Sequence, residues 1–181
     1  MKKGQKVVLR EKRLEDAAKD YAWRSDYELA RLDAAPTLKI SFMDFLASYA
    51  DELRLPSPRR RRFAIETLDG MHIGNCMYYD IDDGKGQAEL GIMIGERDYW
   101  DQGYGTDAIT TLLEHIFNTT SLERIYLKTL EWNIRAQRCF EKCGFVPYKR
   151  VKRCNSNFIV MEIYRNSWQK GVHLDEGKQA D

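Results

Sequence analysis

The hydrophobic period changes in the middle of the chain, and this change limits the possible folds more than any other feature of the sequence. From Gln87 to Ile94, apolar residues alternate with other residues, which is typical of a β-strand. After Gly103-Tyr104-Gly105, apolar pairs recur every four residues from Ala108 to Phe117, which is typical of an amphipathic helix. A strand pattern returns at Arg124–Leu130. Strand, helix and strand in this order predict a right-handed parallel crossover within a mixed sheet.

The segments on either side of this unit predict further strands and helices. We expect a strand at Lys6–Arg10, a helix that carries Leu14 and Tyr21, and a second helix capped by Ser41. The later elements are strands Arg62–Leu68 and His72–Ile81, helix Ile134–Cys143, and a hairpin of strands Phe145–Arg153 and Phe158–Tyr164 turning at Asn155-Ser156-Asn157. The order β-α-α-β-β-β-α-β-α-β-β predicts an α/β (α+β) fold, a mostly antiparallel sheet of about six to seven strands with about four helices. Residues 1–168 are expected to form one domain and the polar residues 169–181 a flexible tail.

Composition and charge exclude several classes of protein. With 29 Lys and Arg against 28 Asp and Glu, the net charge is +1, which argues against stable binding of nucleic acid or a membrane surface. No stretch reaches the roughly 18 apolar residues of a membrane span, and Met1–Arg10 lacks the core of a signal peptide, so a cytoplasmic protein is expected. The four cysteines form no CxxC pair, so we expect free thiols and no metal site.

One charged segment has two interpretations. The basic run Arg59–Arg62 is expected to be a solvated loop, because runs of like charge usually face water. The alternative is a binding surface for an acidic protein or for RNA.

The turn between the central strand and helix has the composition of an anion-binding loop. Gly103 and Gly105 allow the backbone to turn tightly and to approach a ligand. The helix that follows presents unpaired N–H groups and the positive end of its dipole, which together suit a pyrophosphate. The segment is neither a GxGxxG motif, because position 108 is Ala108, nor a P-loop. A tight turn without a ligand is the alternative interpretation.

Two separated blocks resemble one enzyme family. Trp100-Asp101-Gln102-Gly103-Tyr104-Gly105 resembles the acetyl-CoA pyrophosphate loop of the GNAT acetyltransferases, most closely the ribosomal-protein N-terminal acetyltransferases of the RimJ/RimL type. Asn133-Ile134-Arg135-Ala136, followed by 140–145, resembles the Asn-x-x-Ala … Tyr-Glu-Lys-x-Gly-Phe block of that family. The resemblance covers roughly residues 7–165 and implies a GNAT-like sheet, acetyl-CoA as cosubstrate and no metal. It implies cofactor contacts from Ile92, Met93, Ile94, Trp100, Gln102, Gly103, Tyr104, Gly105, Thr106, Asn133, Ala136 and Phe140.

The resemblance also implies a reaction, the direct transfer of an acetyl group to a primary amine. The acceptor is either a protein N-terminal α-amine or a small-molecule amine, and the enzyme is a monomer or a homodimer. The amine must lose a proton before it attacks, and we expect Glu89 to be the base, with Glu131 as a weaker candidate. Glu89 has an alternative role as a solvated strand carboxylate, and Asn133 as a helix cap. A backbone N–H within 91–94 is expected to stabilise the oxyanion.

Phe140 departs from the family pattern. Many relatives have a tyrosine there that protonates the leaving thiolate, and Phe140 has no hydroxyl. Cys139, Tyr126, Tyr104 or a water are candidates to replace it, or no acid is needed. This departure keeps open a second interpretation, a non-catalytic CoA-binding sensor or assembly module.

Overall fold

A computed structural model describes residues 2–153 and 155–169, in which eight strands form one sheet in the order β1-β2-β3-β4-β5-β6-β8-β7. The strands are β1 (Lys2–Lys3), β2 (Val7–Glu11), β3 (Arg60–Thr67), β4 (His72–Asp82), β5 (Gln87–Ile94), β6 (Arg124–Leu130), β7 (Val146–Arg153) and β8 (Ser156–Tyr164). Neighbouring strands are antiparallel except β5 and β6, which are parallel. The predicted mixed, mostly antiparallel α/β fold is confirmed, with β1 as an additional strand.

Residues 165–169 are helical, and five further α-helices lie in the described ranges. They are α1 (Ala17–Ser25), α2 (Tyr27–Leu32), α3 (Phe42–Arg54), α4 (Tyr104–Thr119) and α5 (Ile134–Lys142). Ser41 caps α3 as predicted, because its hydroxyl accepts a hydrogen bond from the Asp44 N–H at 3.1 Å. None of these helices combines the length and the apolar character that crossing a membrane requires.

Four local predictions were wrong. The first helix begins at Ala17 after a short 3-10 turn at Leu14–Asp16, and Leu14 is exposed. Helix α2 was not predicted. Arg60–Arg62 lie in β3 and not in a loop, because their backbone pairs with β4. The side chains of Arg60 and Arg62 form ion pairs with Glu52 of α3. The last hairpin turns before Ser156, at Asn155 with φ +62°. Of the predicted tail 169–181, Gln169 is helical and residues 170–181 lie outside the described residues, as does Cys154.

Helix α4 covers the centre of the sheet. Its apolar face packs on β2, β4 and β5, and each buried aliphatic side chain contributes about 1.5–3 kcal/mol. The fully buried residues of this face are Ala108, Ile109, Leu112, Leu113 and Ile116. The Asp107 carboxylate in its first turn accepts the backbone N–H groups of 5–7 at 2.8–3.0 Å, which fixes the start of α4 against the chain before β2.

A buried polar network fixes α1 to the sheet. The Lys12 ammonium donates to Asp20 of α1 and to Asn75 of β4, and Asn75 donates to Asp20 at 2.8 Å. Arg10 of β2 forms a bidentate pair with Asp16 at 2.7 and 2.8 Å. Removal of one partner would leave a buried charge unpaired, at a cost of about 3–5 kcal/mol. The network therefore fixes α1 and the turn before it against β2 and β4.

Candidate active-site cleft

The two parallel strands separate in the middle of the sheet. β5 pairs with β6 only through Gln87–Glu89 opposite Arg124–Tyr126, although β5 continues to Ile94 and β6 to Leu130. Beyond Glu89 the facing strand edges form no ladder with each other, so backbone donors and acceptors along them are left for a ligand. Ile92, Met93 and Ile94 line the resulting opening, where the sequence predicts cofactor contacts.

This opening belongs to one cleft of about 1770 Å³. One end lies between the start of α4 and helix α5, and we call it the α4–α5 half. The other end is enclosed by α1, α2, α3 and the segment between α2 and α3, and we call it the α1–α3 half. A ligand of cofactor size and a second, smaller ligand can therefore meet at the separated strands.

The start of α4 has the geometry of an anion site. Gly103 precedes the helix with φ +85°, a conformation that favours glycine, and its carbonyl accepts the first helical bond from Asp107 N–H at 3.0 Å. The N–H groups of residues 104–106 therefore precede the helical hydrogen-bond ladder and face outward from the helix end. Together with the helix dipole they favour a phosphate group. Gly103, Gly105 and Thr106 line the cleft as predicted.

Trp100 holds the loop before α4. Its indole N–H donates to the Ile94 carbonyl at 2.8 Å, which ties the loop to the end of β5. The Arg135 guanidinium lies 3.7 Å from the centre of the Trp100 ring and connects the loop to the first turn of α5. Trp100 lines the cleft and also has this structural role.

Two predicted cofactor residues do not reach the cleft with their side chains. The Gln102 amide turns back to donate to the Asp98 carbonyl. The Tyr104 ring packs edge-on against Tyr99 at 5.0 Å and against the core. Neither residue lines the cleft, so the predicted contacts of these two side chains with the cofactor have no geometric basis.

Helix α5 forms the opposite wall of the α4–α5 half. The Asn133 side chain caps the helix by accepting the Ala136 N–H at 3.2 Å, so its predicted capping role is confirmed. Asn133, Ala136 and Phe140 all line the cleft. Phe140 is only 8% exposed, and its ring packs against Phe145 at 6.0 Å, so most of the ring belongs to the core.

Glu89 is a buried carboxylate at the point where β5 and β6 separate. It is 5% exposed and lines the cleft, so the alternative of a solvated strand carboxylate was wrong. Its Oε1 accepts the Tyr79 hydroxyl at 2.7 Å, and its Oε2 accepts the Lys128 ammonium at 2.5 Å. Burial, followed by the hydrogen bond to Glu89, raises the pKa of Tyr79 well above its usual range. Tyr79 is therefore a neutral donor to Glu89 near neutral pH.

Glu131 lies elsewhere. Its carboxylate pairs with the exposed Arg150 at 2.9 Å, and it lines a separate shallow depression with Trp132 and 155–157. Glu131 does not line the cleft, and this placement removes the geometric basis for a role as the base.

The three side chains named as candidates to replace a tyrosine at 140 differ in position. Tyr104 and Tyr126 do not line the cleft, whereas Cys139 does. The Cys139 sulfur lies 3.4 Å from the Thr106 hydroxyl, next to the start of α4. A hydrogen bond from Cys143 lowers the pKa of Cys139. Among the described residues, no group of three or more His, Cys, Asp or Glu side chains is arranged to hold a metal.

The α1–α3 half contains a carboxylate that the sequence prediction missed. Asp33 follows α2 and lines the cleft as an exposed residue. Partial desolvation by the surrounding protein raises the pKa of its carboxyl, while Arg24 opposes the shift. On α2, the Arg31 guanidinium lies 4.7 Å from the Trp132 ring, so α2 contacts the connection between β6 and α5. The signal for α2 was its N-cap, Asp26, whose carboxylate accepts the Leu29 N–H at 3.0 Å.

Known proteins match this chain in sequence and in fold. The family model described as acetyltransferase (GNAT) domain matches residues 6–146. An uncharacterized N-acetyltransferase, p20 of Bacillus licheniformis, is 28% identical over 142 residues, which are 78% of this chain and 79% of that protein. A probable spermine N(1)-acetyltransferase of Bacillus subtilis subsp. natto is 30% identical over 82 residues, which are 42% of this chain and 54% of that protein. The structure of spermidine N-acetyltransferase from Vibrio cholerae, in complex with CoA and spermine, has a TM-score of 0.80 at 20% identity, covering 90% of this chain and 98% of that one.

Proposed function

Because the chain belongs to the GNAT acetyltransferase domain family and is an acetyl-CoA-dependent N-acetyltransferase, we propose that its acceptor is a primary amine of an aliphatic polyamine. The observation that carries the proposal is the position of Asp33. Its carboxylate lines the α1–α3 half and forms no ion pair within the described residues, so it is available to a ligand ammonium group. The cofactor and the acceptor would then approach the separated strands from opposite ends of one cleft.

The α4–α5 half suits the cofactor. We assign the pyrophosphate to the N–H groups of residues 104–106, which Gly103 and Gly105 leave accessible. The pantetheine arm would follow the free edge of β5 at Ile92–Ile94, whose backbone groups can pair with its two amides. Asn133, Ala136 and Phe140 would contact the arm from the other wall. The thioester then lies where β5 and β6 part, near Glu89.

The chemistry is an acyl transfer without a covalent enzyme intermediate. An alkyl ammonium has a pKa near 10.4, so it must give up a proton before its nitrogen can attack. We assign Glu89 as the group that receives this proton. Because both of its oxygens already accept hydrogen bonds from protein groups, we assign the transfer to a bridging water and not to direct contact with the amine. The C–N bond forms, and a backbone N–H of residues 91–94 stabilises the oxyanion. The nitrogen then loses its second proton to water, and the C–S bond breaks to give the amide and the CoA thiolate. The departing thiolate has a pKa near 8.5, so it leaves without a tyrosine acid at 140.

Two observations support a positively charged polyamine acceptor. Asp33 is placed to attract a second ammonium of the acceptor, away from the nitrogen that reacts. The match to a protein described as a probable spermine N(1)-acetyltransferase supports the same class of amine. A protein N-terminal α-amine is the competing acceptor, and cytoplasmic location and oligomeric state stay predictions.

A panel of amines tests the proposal. Thiol release from acetyl-CoA would be measured with spermidine, spermine, an aminoglycoside, a monoamine, and peptides with free α-amines. We expect kcat/KM to be highest for the linear polyamines and at least tenfold lower for the monoamine, which cannot contact Asp33. Efficient acetylation of peptides together with inert polyamines would contradict the proposed acceptor.

A further inference from the structure

The cations that line the cleft differ in their partners. Next to the sheet, Lys12 pairs with Asp20, Lys128 with Glu89, and Arg60 and Arg62 with Glu52. On α5, three exposed cations line the cleft. Among the described residues, no carboxylate lies within 4.0 Å of any of them. They are Arg135, Arg138 and Lys142, and we call them the α5 basic stripe. The α4–α5 half therefore carries positive charge that the protein itself does not neutralise.

The stripe lies beside the proposed pyrophosphate site. At about 100° per residue, positions 135, 138 and 142 fall within roughly 60° of one another on the helix surface. Cys139 lies on the adjoining side of α5, and its sulfur is 3.4 Å from the Thr106 hydroxyl in the first turn of α4. An anion at the start of α4 thus has the stripe as its neighbour, with Lys142 on the turn after Arg138.

The charge and spacing of the stripe suit a phosphate monoester. A pyrophosphate diester at the start of α4 is already provided with backbone N–H donors and the helix dipole. A monoester carries about −1.5 to −2 charge near pH 7 and is best held by Arg and Lys side chains. Arg135 is occupied by its contact with Trp100 at 3.7 Å, which leaves Arg138 and Lys142 as the free donors.

We propose that Arg138 and Lys142 bind the 3′-phosphate of the CoA ribose and so select CoA against its 3′-dephospho form. The proposal rests on binding of the cofactor pyrophosphate at residues 104–106. The stripe then acts as a second anchor, at the end of the cofactor that takes no part in the reaction. Its contribution is to affinity and cofactor selection, whereas the transfer step occurs at the separated strands.

Calorimetric titration with CoA and with 3′-dephospho-CoA tests this assignment. We expect the wild-type chain to bind CoA about 10- to 100-fold more tightly, the range of one or two charge-assisted contacts. The double variant Arg138→Gln/Lys142→Gln should bind both forms alike, with the affinity that the wild type has for dephospho-CoA. The double variant Lys152→Gln/Arg153→Gln is a matched control, because these cations also line the cleft but lie on β7, and it should keep the wild-type ratio.

The outcomes separate this inference from the assigned cofactor site. Equal wild-type affinity for the two forms would overturn it, and so would a stripe variant that keeps the wild-type ratio. A parallel loss of affinity for both forms would also overturn it, because the stripe would then contact the pyrophosphate. Failure of the wild type to bind either form would instead refute cofactor binding at the start of α4. Unchanged melting temperatures of both double variants would show that the comparison is between folded proteins.

Discussion

Replacement of Glu89 by glutamine is expected to slow the transfer step while the fold remains intact. Glutamine keeps the shape of the side chain: its carbonyl can accept from Lys128, and its NH₂ group can donate to the Tyr79 hydroxyl, which also accepts. The loss is that of one charge-assisted pair, worth about 1.5–3 kcal/mol. Because the Lys128 side chain is 32% exposed, solvent reduces this to about 1–2 kcal/mol. The melting temperature should fall by about 2–8 °C.

The effect on turnover should be larger than this loss of stability. General-base assistance contributes about 10²- to 10⁴-fold, so we expect kcat to fall at least about 10²-fold with saturating acetyl-CoA and amine. Affinity for CoA should be unchanged, because the proposed phosphate contacts lie at the start of α4. The variant should also gain rate more steeply than wild type from pH 6 to 9, because the free-amine fraction rises about tenfold per pH unit below its pKa.

Glu162→Gln is the matched control. Glu162 is also a buried carboxylate in an ion pair of the sheet, with Arg124 at 2.7 Å, but it does not line the cleft. It should lower the melting temperature to a similar degree and leave kcat unchanged. If thiol-release assays give Glu89→Gln the wild-type kcat across this pH range, the role of Glu89 as base is refuted. Equal losses of kcat in both variants would also refute it.

Three further substitutions test other parts of the cleft. Gly105→Val should weaken CoA binding at least tenfold by calorimetry, because the side chain would block the approach of the pyrophosphate to the backbone. The fold should persist, since a Cβ at 105 meets its nearest atom, Cys139 Sγ, at 3.5 Å. Unchanged affinity would contradict the proposed pyrophosphate site. Phe140→Ala should lower the free energy of unfolding, measured with denaturant, by about 3–5 kcal/mol and should weaken CoA binding, because the ring is buried and packs against Phe145. Phe140→Tyr should bind CoA normally. Unchanged CoA affinity and activity in Phe140→Ala would place the ring outside the site. Asp33→Asn should raise the polyamine KM about tenfold, whereas Asp83→Asn, which changes an exposed carboxylate outside the cleft, should not. The wild-type KM should also rise as the pH falls and Asp33 is protonated. Equal KM values in Asp33→Asn and the wild type would exclude the contact.

Strong periodic patterns predicted the centre of the fold well. The bounds of β5 and β6 agree with the sequence prediction, because alternation and a parallel crossover leave few other arrangements. Strand β1 has two residues and no apolar pattern, and it forms only because Lys2 and Lys3 lie opposite Leu9 and Val8. Helix α2 has six residues, too few for a helical period to be recognised.

The site was predicted where it depends on the backbone and missed where it depends on distant side chains. Gly103 and Asn133 act through local geometry at helix starts, which a sequence motif records. Alternation in β5 gives the face on which Glu89 lies, but its burial depends on Tyr79 and Lys128 of other strands. The Arg59–Arg62 run was misjudged for the same reason, since the Glu52 that pairs with it lies on α3.

The most direct test of the account is amine-dependent turnover of acetyl-CoA by the purified wild-type chain. Release of the CoA thiol would be followed with and without spermidine, and the product identified by mass spectrometry. The account predicts release that depends on the amine, one N-acetylated product, and saturation in both substrates. CoA binding without turnover, with spermidine and with every other amine of the panel, would contradict it and favour a non-catalytic CoA-binding module.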